Sequence, residues 1–532
     1  MCDNLLQPAR FAVTYETIAM AESYLYMAEL SISVDDPNPC ACGVGGVLGV
    51  KRPSPTFLRP PDTMDSIRPT EECTPSNHVQ GMRTRAMSVR TIAYCCAACA
   101  FSDLNFSMLV PFFPEVARAK GCSQFLVGCL FSLHQLCSLL VTPLAPTLIR
   151  WFGGGRVLRL ALASQSATAF AFAFTDRTPT KTTFVAACVI LRCAQGLCAG
   201  LSEVSAVGLL MRSVPEDRVG HAIGWSEAAR GIGIMVGPML GGGMDQTLGF
   251  FAPFCTSGAC LALLALAMTM VPEHHHSSST GESGGPTNSF RLLLCAPVVV
   301  SSLLIAFVLM IVITFIDPTI QPFMAKAPFN LDEFHVGLVY SCSLLVYSFV
   351  SLYAGAIAAR AGNLATLTVG MLLTACSYFT LAPVPGEFDL SRLALVPFLE
   401  RAVTDHQLAI ILATTSLSVM GFGTALAFVP ANSLMVAEAE VVGLSVDASS
   451  DPIAALSMIA FTGGAAIGPL LGGAMVQASG FRRASATFGL GLALSGCVLL
   501  GVISLTFVRR RRRRKPQMAE ALIPVERTAT HS

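Results

Sequence analysis

Charged residues are scarce in this chain of 532 residues, and their scarcity excludes most protein classes. Lys and Arg number 34 and Asp and Glu 33, so 13% of the residues are charged, against roughly 25% in a soluble domain. With 53% hydrophobic residues and a mean hydropathy of +0.63, the chain has too little polar material to cover a soluble surface. A net charge of +1 argues against nucleic-acid binding, which needs a basic surface. A polytopic membrane protein is the class that remains.

Patterns typical of enzymes and metal sites are also missing. The sequence has no Walker glycines, no zinc-ligand spacing and no nucleophile elbow. Most of the 19 cysteines lie inside apolar runs, where a thiol behaves as a small hydrophobic group. The His274-His275-His276 run fits a solvated linker better than a metal site. We therefore predict a protein that is not an enzyme and needs no metal or cofactor, with its energy drawn from an ion gradient.

Twelve apolar stretches of spanning length follow one another between residues 89 and 508, separated by short polar turns. We number them spans 1 to 12: 89–113, 124–149, 156–175, 182–211, 221–244, 248–271, 291–316, 333–359, 363–384, 407–436, 451–476 and 484–508. The fold class predicted from them is an all-α polytopic membrane protein with twelve transmembrane helices.

The regions outside the spans set the predicted domain boundaries. Residues 1–88 are rich in proline and predict a poorly ordered N-terminal tail, and the Gly-, Ser- and His-rich segment 272–290 predicts a linker. That linker divides the membrane part into a first half, 89–271, and a second half, 291–508, which a basic tail, 509–532, follows.

Arginines on the flanks of the spans predict the orientation. Arg90, Arg150 and Arg212 lie at turns that share one side of the membrane with the Arg509–Arg514 run after span 12. Because cytoplasmic loops carry an excess of Lys and Arg, both termini are predicted to be cytoplasmic. The expected partners are the lipid bilayer, a small substrate and protons, with no nucleic acid, and we expect a monomer.

Two internal repeats relate the halves. Residues 233–250 and 464–481 share the pattern GxxxGPxxGG, 231 residues apart, and CSQFLVG at 122–128 echoes LDEFHVG at 331–337. Glycines four residues apart let a neighbouring helix approach closely, and Pro238 and Pro469 are expected at bends. Six helices repeated once suit two halves that rock against each other around a central site.

The span 5 repeat carries a resemblance to a known family. Gly224, Gly233, Gly237, Pro238, Gly241 and Gly242 match the antiporter motif of the major facilitator superfamily, and Gly468 and Pro469 belong to its second-half copy. Arg192-x-x-Gln195-Gly196 resembles that superfamily's motif on helix 4. The motif between helices 2 and 3 departs from the pattern, because Arg150 stands where aspartate is usual, and its second-half copy has Ala359 at that position.

Within the superfamily the chain resembles the vesicular amine transporter group, especially its polyamine-type branch. The segments that carry this resemblance are 111–115 (PFFPE), 226–227 (SE), 315–319 (FIDPT) and 381–385 (LAPVP). It covers about residues 95–508 and implies proton-driven antiport of an organic cation, a polyamine or monoamine, from the cytosol into an acidic compartment. It also implies an endomembrane rather than the plasma membrane.

A few charged or titratable side chains lie inside the spans, where each one needs a partner, a cavity or a role. They are Asp103, His134, Arg192, Glu203, Glu227, Arg230 and Asp317. Four acids against two arginines predict an anionic cavity suited to a cation. We predict that all of these except Arg230 form the substrate and proton site.

Each acid has a structural alternative. The resemblance implies that Asp103 binds the substrate ammonium and that Asp317 is a substrate or proton carboxylate; alternatively, Asp103 pairs with a neighbouring helix and Asp317 serves to break the helix. Glu227 either pairs with Arg230 at i+3 or carries a proton. Glu203 is a further cation ligand or a contact between helices.

The remaining positions rest on the resemblance too. Arg192 takes from it a role in proton coupling, and His134 stands where monoamine members carry lysine, so it either titrates or makes an interhelical contact. Ala425 and Met458 occupy positions where monoamine transporters keep acids, which favours a polyamine or another organic cation. Aromatic residues of span 8, Tyr347, Phe349 and Tyr353, either offer cation–π faces or only pack.

Two other functions fit the same residues. One is a drug or metabolite exporter of this fold at the plasma membrane. The other is a receptor or scaffold that transports nothing and uses the N-terminal tail for its contacts.

Overall fold

The computed structural model describes residues 75–214, 219–270, 291–381, 405–444 and 446–521. The predicted tail up to residue 74, the linker 272–290 and residues 522–532 lie outside this description. The chain divides into two compact units, Met1–Ala86 and Met87–Ser532, and the site discussed below belongs to the second.

Within the described ranges the regular structure is helical, apart from the 3₁₀ turns Thr175–Arg177 and Met268–Met270. The helices of the first half are α1 Pro75–Ser107, α2 Phe113–Ala119, α3 Gln124–Val141, α4 Ala145–Phe152, α5 Gly154–Phe172, α6 Lys181–Arg212, α7 Val219–Leu248 and α8 Phe251–Ala267. Those of the second half are α9 Pro297–Phe315, α10 Ile320–Met324, α11 Glu333–Ala361, α12 Asn363–Leu381, α13 His406–Val441 and α14 Val446–Ala521.

The helices follow the predicted spans. Span 2 is shared by α3 and α4, and α14 contains spans 11 and 12, with Gly480 in a non-helical conformation between them (φ 77°, ψ 162°). By length and composition, 8 described stretches are able to cross a membrane, and one of these, Ala455–Arg509, covers both last spans. The all-α membrane architecture is confirmed, while the count of twelve helices stays a prediction. The terminal helices overrun their spans, since α1 begins at Pro75 and α14 continues to Ala521.

The sequence repeat has a counterpart in the helix ends. Ser123 caps α3 by accepting a hydrogen bond from the Leu126 amide (3.3 Å), and Asp332 caps α11 by accepting one from the His335 amide (2.9 Å). A side-chain oxygen at this position satisfies an amide that has no partner inside the helix. The two caps hold the same place in CSQFLVG and LDEFHVG, so the echo between these segments begins with a shared helix start.

The first helix of each half breaks in front of a proline. Helix α1 ends at Ser107, four residues before Pro111, and α9 ends at Phe315, three residues before Pro318. Proline disfavours helical geometry at the residue before it and supplies no amide donor. The helix of each half therefore stops near the cavity described below.

Glycines of the repeated motif pack one helix against another inside each half. In α7, Gly233 and Gly241 lie against the carbonyls of Ala100 and Met108 of α1, leaving no room for a Cβ. In α14, Gly464 and Gly472 lie in the same way against Phe307 and Phe315 of α9. This matches α1 to α9 position by position. Gly237 and Gly468 continue the two contacts against Ser107 and Thr314, whereas Gly224 is exposed and borders open space.

The two repeated motifs also meet across the halves. Gly128 of α3 faces the carbonyl of Pro469, and Gly337 of α11 faces the carbonyl of Pro238, again with no space for a side chain. Gly242 lies equally close to the backbone of Glu333. We call the end of the bundle where these contacts occur the closed end.

Hydrogen bonds reinforce the closed end. Gln124 Nε2 donates to the Pro318 carbonyl (2.5 Å), and the Phe125 amide donates to Gln477 Oε1 (2.9 Å). Gln246 Nε2 donates to Asp332 Oδ2 (2.8 Å), and the Gln321 amide donates to the Glu115 carboxylate. Every one of these bonds joins the first half to the second.

Candidate functional site

A cavity of about 80 Å³ lies between the halves, with walls from both of them. Its charged and titratable lining residues are Cys99, Asp103, His134, Glu203, Arg230, Asp317 and Tyr340. Four of the six predicted site residues therefore share one cavity, although they come from α1, α3, α6 and the break after α9. Glu227 and Arg192 do not line it.

Arg230 of α7 joins the carboxylates at one end of this cavity. Its Nε donates to Asp103 Oδ2 at 2.9 Å and its Nη1 to Glu203 Oε1 at 2.6 Å. Glu227, one turn earlier on the same helix, is 3.5 Å from Nη1. Charge-assisted hydrogen bonds of this kind are short and strong. In this conformation Asp103, Glu203 and Glu227 therefore all pair with one guanidinium.

A buried amide holds two of these acids in place from behind. Gln165 of α5, 1% exposed, accepts a hydrogen bond from Ser102 Oγ (3.1 Å) and donates one to Ser202 Oγ (2.7 Å). These serines immediately precede Asp103 and Glu203. Because both bonds are buried, Gln165 links α1, α5 and α6 next to the two acids.

Asp317 lies apart from the Arg230 cluster. It is 2% exposed, and its Oδ1 accepts a 2.6 Å hydrogen bond from the Tyr340 hydroxyl of α11. A hydroxyl is a neutral donor, so this hydrogen bond brings no positive charge to the carboxylate. The cavity consequently has two acidic groups of different kinds, one paired with arginine and one bonded to tyrosine.

Arg192 lies outside the cavity in an aromatic cage. Its side chain is 1% exposed, with Cζ 5.9, 5.7 and 5.1 Å from the ring centroids of Phe113, Phe131 and Phe172. Nη1 donates to Gln195 at 3.3 Å, while Nε and Nη2 have no hydrogen-bond partner among the described residues. Cation–π contacts of this kind stabilise a guanidinium away from water.

His134 lines the cavity through a ring that is 5% exposed and lies 4.8 Å from the ring of Phe106. Its Nδ1 has no hydrogen-bond partner within the described part of the chain. Its backbone carbonyl packs against Gly196 of α6. The ring thus contacts α1 through Phe106, and titration of His134 stays a prediction.

Glu227 occupies a different environment from the other acids. Its side chain is 57% exposed, against 24% for Asp103 and 22% for Glu203. It contacts the cluster only through Arg230. The predicted site residues thus divide into buried cavity groups, a caged arginine and one solvent-accessible acid.

Sequence reasoning missed several residues that contribute to this site. Arg230 was noticed only as a partner of Glu227, although it joins three acids, and Gln165 and Tyr340 were missed. A polar amide within an apolar span was the available signal for Gln165. Phe349 and Tyr353 do not face the cavity: they are 62% and 55% exposed and contact each other, because α11 turns that side outward.

The described residues contain no group of three or more His, Cys, Asp or Glu side chains able to hold a metal ion. Carboxylates that line a cavity at membrane depth are able to bind a cation or to exchange a proton.

A family model described as the Major Facilitator Superfamily matches residues 95–448, well over half of the chain. The chain belongs to the major facilitator superfamily. It is also similar to the MFS-type transporter SLC18B1 of Homo sapiens, with 28% identity over 424 residues that cover 78% of this chain and 86% of that protein. The SLC18B1 protein of Rattus norvegicus is 28% identical over 74% of this chain and 82% of its own length.

Solved structures show the same fold. A bacterial homolog of the human lysosomal transporter Spinster, in an inward-facing and unoccupied conformation, superposes with a TM-score of 0.61 at 13% identity. The superposition covers 80% of this chain and 98% of that one. The nucleoside transporter NupG superposes with a TM-score of 0.55, also at 13% identity, over 77% of this chain and 99% of that one.

These matches confirm the resemblance stated from the sequence. The family model covers the repeated motifs of the first half, and the relatives named SLC18B1 agree with the narrower resemblance to the vesicular amine transporter group. The family and its named relatives are transporters, which confirms the prediction of a multi-pass membrane transporter rather than an enzyme.

Proposed function

We propose that this superfamily member exchanges protons for an organic cation, a polyamine or monoamine, by alternating access into an acidic compartment. The observation that carries the proposal is the cavity between the halves, in which Asp317, Asp103 and Glu203 present carboxylates from both repeats. Carboxylates kept at membrane depth serve substrates or protons in transporters. The resemblance to the vesicular amine transporter group and the matches to SLC18B1 proteins point the same way.

The conformation supports a step of such a cycle. With both termini cytoplasmic, span 1 runs away from the cytoplasm, so the closed end, which includes Glu115, lies on the far side. Contacts between the halves at Gly128, Gly337 and Gly242 seal that side. In the proposed cycle this conformation loads a cation from the cytoplasm and releases protons there.

Uptake into proteoliposomes tests the function. Purified full-length protein is reconstituted into vesicles with an acidic interior, and uptake of radiolabelled spermidine and of a monoamine is followed with and without an ionophore that collapses the pH gradient. We expect uptake that depends on the gradient and that Asp317→Asn abolishes. Asp405→Asn is the matched control, because Asp405 caps α13 at an exposed position and asparagine also caps helices.

Two outcomes contradict the proposal. Folded, monodisperse protein that takes up no amine under any gradient removes the function. Full uptake by Asp317→Asn removes Asp317 from the exchange.

A second candidate function has a specific match behind it. The Multi-drug resistance efflux pump PmrA homolog of Lactococcus lactis is 24% identical over 56% of this chain and 73% of its own length. Export of a drug or metabolite across the plasma membrane is the corresponding alternative. Microscopy of the tagged full-length protein separates the two, since the leading proposal requires an acidic endomembrane compartment.

A further inference from the structure

Arg230 occupies the most anionic position of the cavity. Carboxylates from three helices, α1, α6 and α7, converge on its guanidinium at 2.9, 2.6 and 3.5 Å. A substrate ammonium that entered the cavity would find its best oxygen ligands, Asp103 and Glu203, already bonded to a cation belonging to the protein.

The acids are open to the cavity even though they are paired. Asp103 and Glu203 line the cavity, and their side chains keep 24% and 22% of their exposure, against 10% for Arg230. The guanidinium is carried on a long flexible stem and is weakly hydrated. Exchange of this partner for a substrate amine therefore requires the Arg230 side chain to move.

The repeat gives Arg230 an aromatic counterpart. In the 231-residue offset that relates the two glycine motifs, Arg230 corresponds to Phe461. The structure brings these two together across the halves, with Arg230 Cζ 5.9 Å from the centre of the Phe461 ring. An aromatic face attracts any cation placed over it, whether guanidinium or ammonium. A cation at this position is thus contacted by carboxylates of one half and by an aromatic ring of the other.

Asp317 lies at a different depth in the bundle from Asp103. Because the glycine contacts match Met108 to Phe315, Val110, in the turn that follows α1, corresponds to Asp317, and Asp103 lies seven positions earlier. The Met108 and Val110 amides bond to the Leu104 and Ser107 carbonyls, so the turn continues the winding of α1. At the rise of an α-helix, seven positions span about 10 Å along the axis. A cation with one amine needs only Asp317, whereas a diamine about that long reaches Asp103 and Glu203 as well.

We propose that Arg230 is a resident cation, which holds the ammonium position between Asp103 and Glu203 and is displaced when a long diamine binds. This rests on the proposed function and deepens it. Arg230 is a positioning residue in this scheme: it selects against cations too short to displace it. Monoamines bind at Asp317 and leave Arg230 in place.

Equilibrium binding to purified full-length protein in nanodiscs tests the inference. The probes are diaminooctane and octylamine, which share a chain length and differ by one amine, and the variants are Arg230→Gln and Arg230→Lys. Losing a competing charge-assisted bond is worth roughly tenfold in affinity. We expect Arg230→Gln to bind diaminooctane about tenfold more tightly than wild type, with octylamine changed far less, and Arg230→Lys to restore the wild-type affinity.

Arg230→Gln leaves three carboxylates without a cation, so the double variant Arg230→Gln/Glu203→Gln provides a second test. It keeps the net charge of the wild-type cluster while vacating the position beside Asp103, and we expect it to bind diaminooctane more tightly than wild type too. Thermal shift by the diamine gives a parallel readout, which should be larger in both variants than in wild type.

The outcomes separate the two proposals. If wild type binds amines and folded Arg230→Gln binds diaminooctane no more tightly, Arg230 is only a structural ion-pair partner and the inference is overturned. If no protein binds either amine, the proposed function falls together with the inference. Equal tightening for diaminooctane and octylamine also overturns it, because the effect would then be a general change in charge.

Discussion

Replacing Gly337 by alanine places a methyl group between the two halves at the closed end. The new Cβ would be 2.8 Å from the carbonyl carbon of Pro238, whereas carbon atoms pack at about 3.5–4.0 Å. The backbones of α7 and α11 must therefore separate by roughly 1 Å to accept it. The clash exists only while the halves touch, so it destabilises this conformation and spares the one in which the closed end has opened.

The size of the effect follows from packing energetics. Overfilling a well-packed contact costs about 1–3 kcal/mol. A difference of that size shifts a two-state equilibrium by roughly 5- to 150-fold toward the opposite conformation. Gly128→Ala, which meets the Pro469 carbonyl at the symmetric contact, should act in the same direction.

Hydrogen exchange measured by mass spectrometry checks this prediction. We expect faster exchange in Gly337→Ala at the segments 121–128 and 330–337, which line the closed end. Gly208→Ala in α6 is the matched control, because an added Cβ there meets nothing within 4 Å. Exchange in Gly337→Ala indistinguishable from wild type would refute the assignment of this contact as the closing surface.

Three further perturbations have defined outcomes. Gln165→Leu leaves two buried serines without their shared hydrogen-bond partner and should lower the free energy of unfolding by about 1–3 kcal/mol. We expect a lower melting temperature for this variant, and no such decrease for the control Ala167→Leu on the exposed face of the same helix. Tyr340→Phe removes the 2.6 Å bond to Asp317 and should slow amine exchange roughly tenfold, while Tyr353→Phe on the outer surface leaves it unchanged. Asp245 lies just beyond span 5, where burial and three nearby carboxylates raise its pKa from 3.8 to about 6. Between these two pH values the folded state keeps a proton on Asp245 that the unfolded chain has lost. The stability of the wild type therefore rises as pH falls through about 6. Asp245→Asn should have a higher melting temperature than wild type above that pH, and the two melting temperatures should become equal below about pH 4. A difference in melting temperature that stays constant with pH contradicts this.

Much of the architecture was predictable because it depends on local composition and on self-similarity. Apolar length located the helices, and the repeat predicted two related halves. The structure adds why the repeated glycines are needed: Gly233 and Gly241 let α7 contact α1, while Gly128 and Gly337 receive proline carbonyls from the opposite half.

The sequence singled out the charged residues that line the cavity, and it did not indicate which of them are in contact. Charge scarcity marked Asp103, Glu203, Arg230 and Asp317, since every charge inside a span needs a reason. Which of them meet depends on how α1, α6 and α7 pack, and residues 27 and 127 positions apart become partners of Arg230. No spacing rule along one helix reports such contacts.

Aromatic residues show the same limit. Phe349 and Tyr353 follow a helical pattern that fits either a cavity or an outer surface, and only the packing of α11 decides that they face outward. Phe461 is one of many phenylalanines in the sequence, and its place opposite Arg230 follows from the symmetry between the halves.

The central claim is exchange of protons for an organic cation through the cavity between the halves. Its most direct measurement follows both partners in the same proteoliposomes, with a pH-sensitive dye trapped inside acidic vesicles and radiolabelled spermidine added outside. The account predicts that spermidine entry and loss of internal acidity occur together in wild type and that both disappear in Asp317→Asn. Spermidine entry without proton movement, or unchanged exchange in Asp317→Asn, would contradict it.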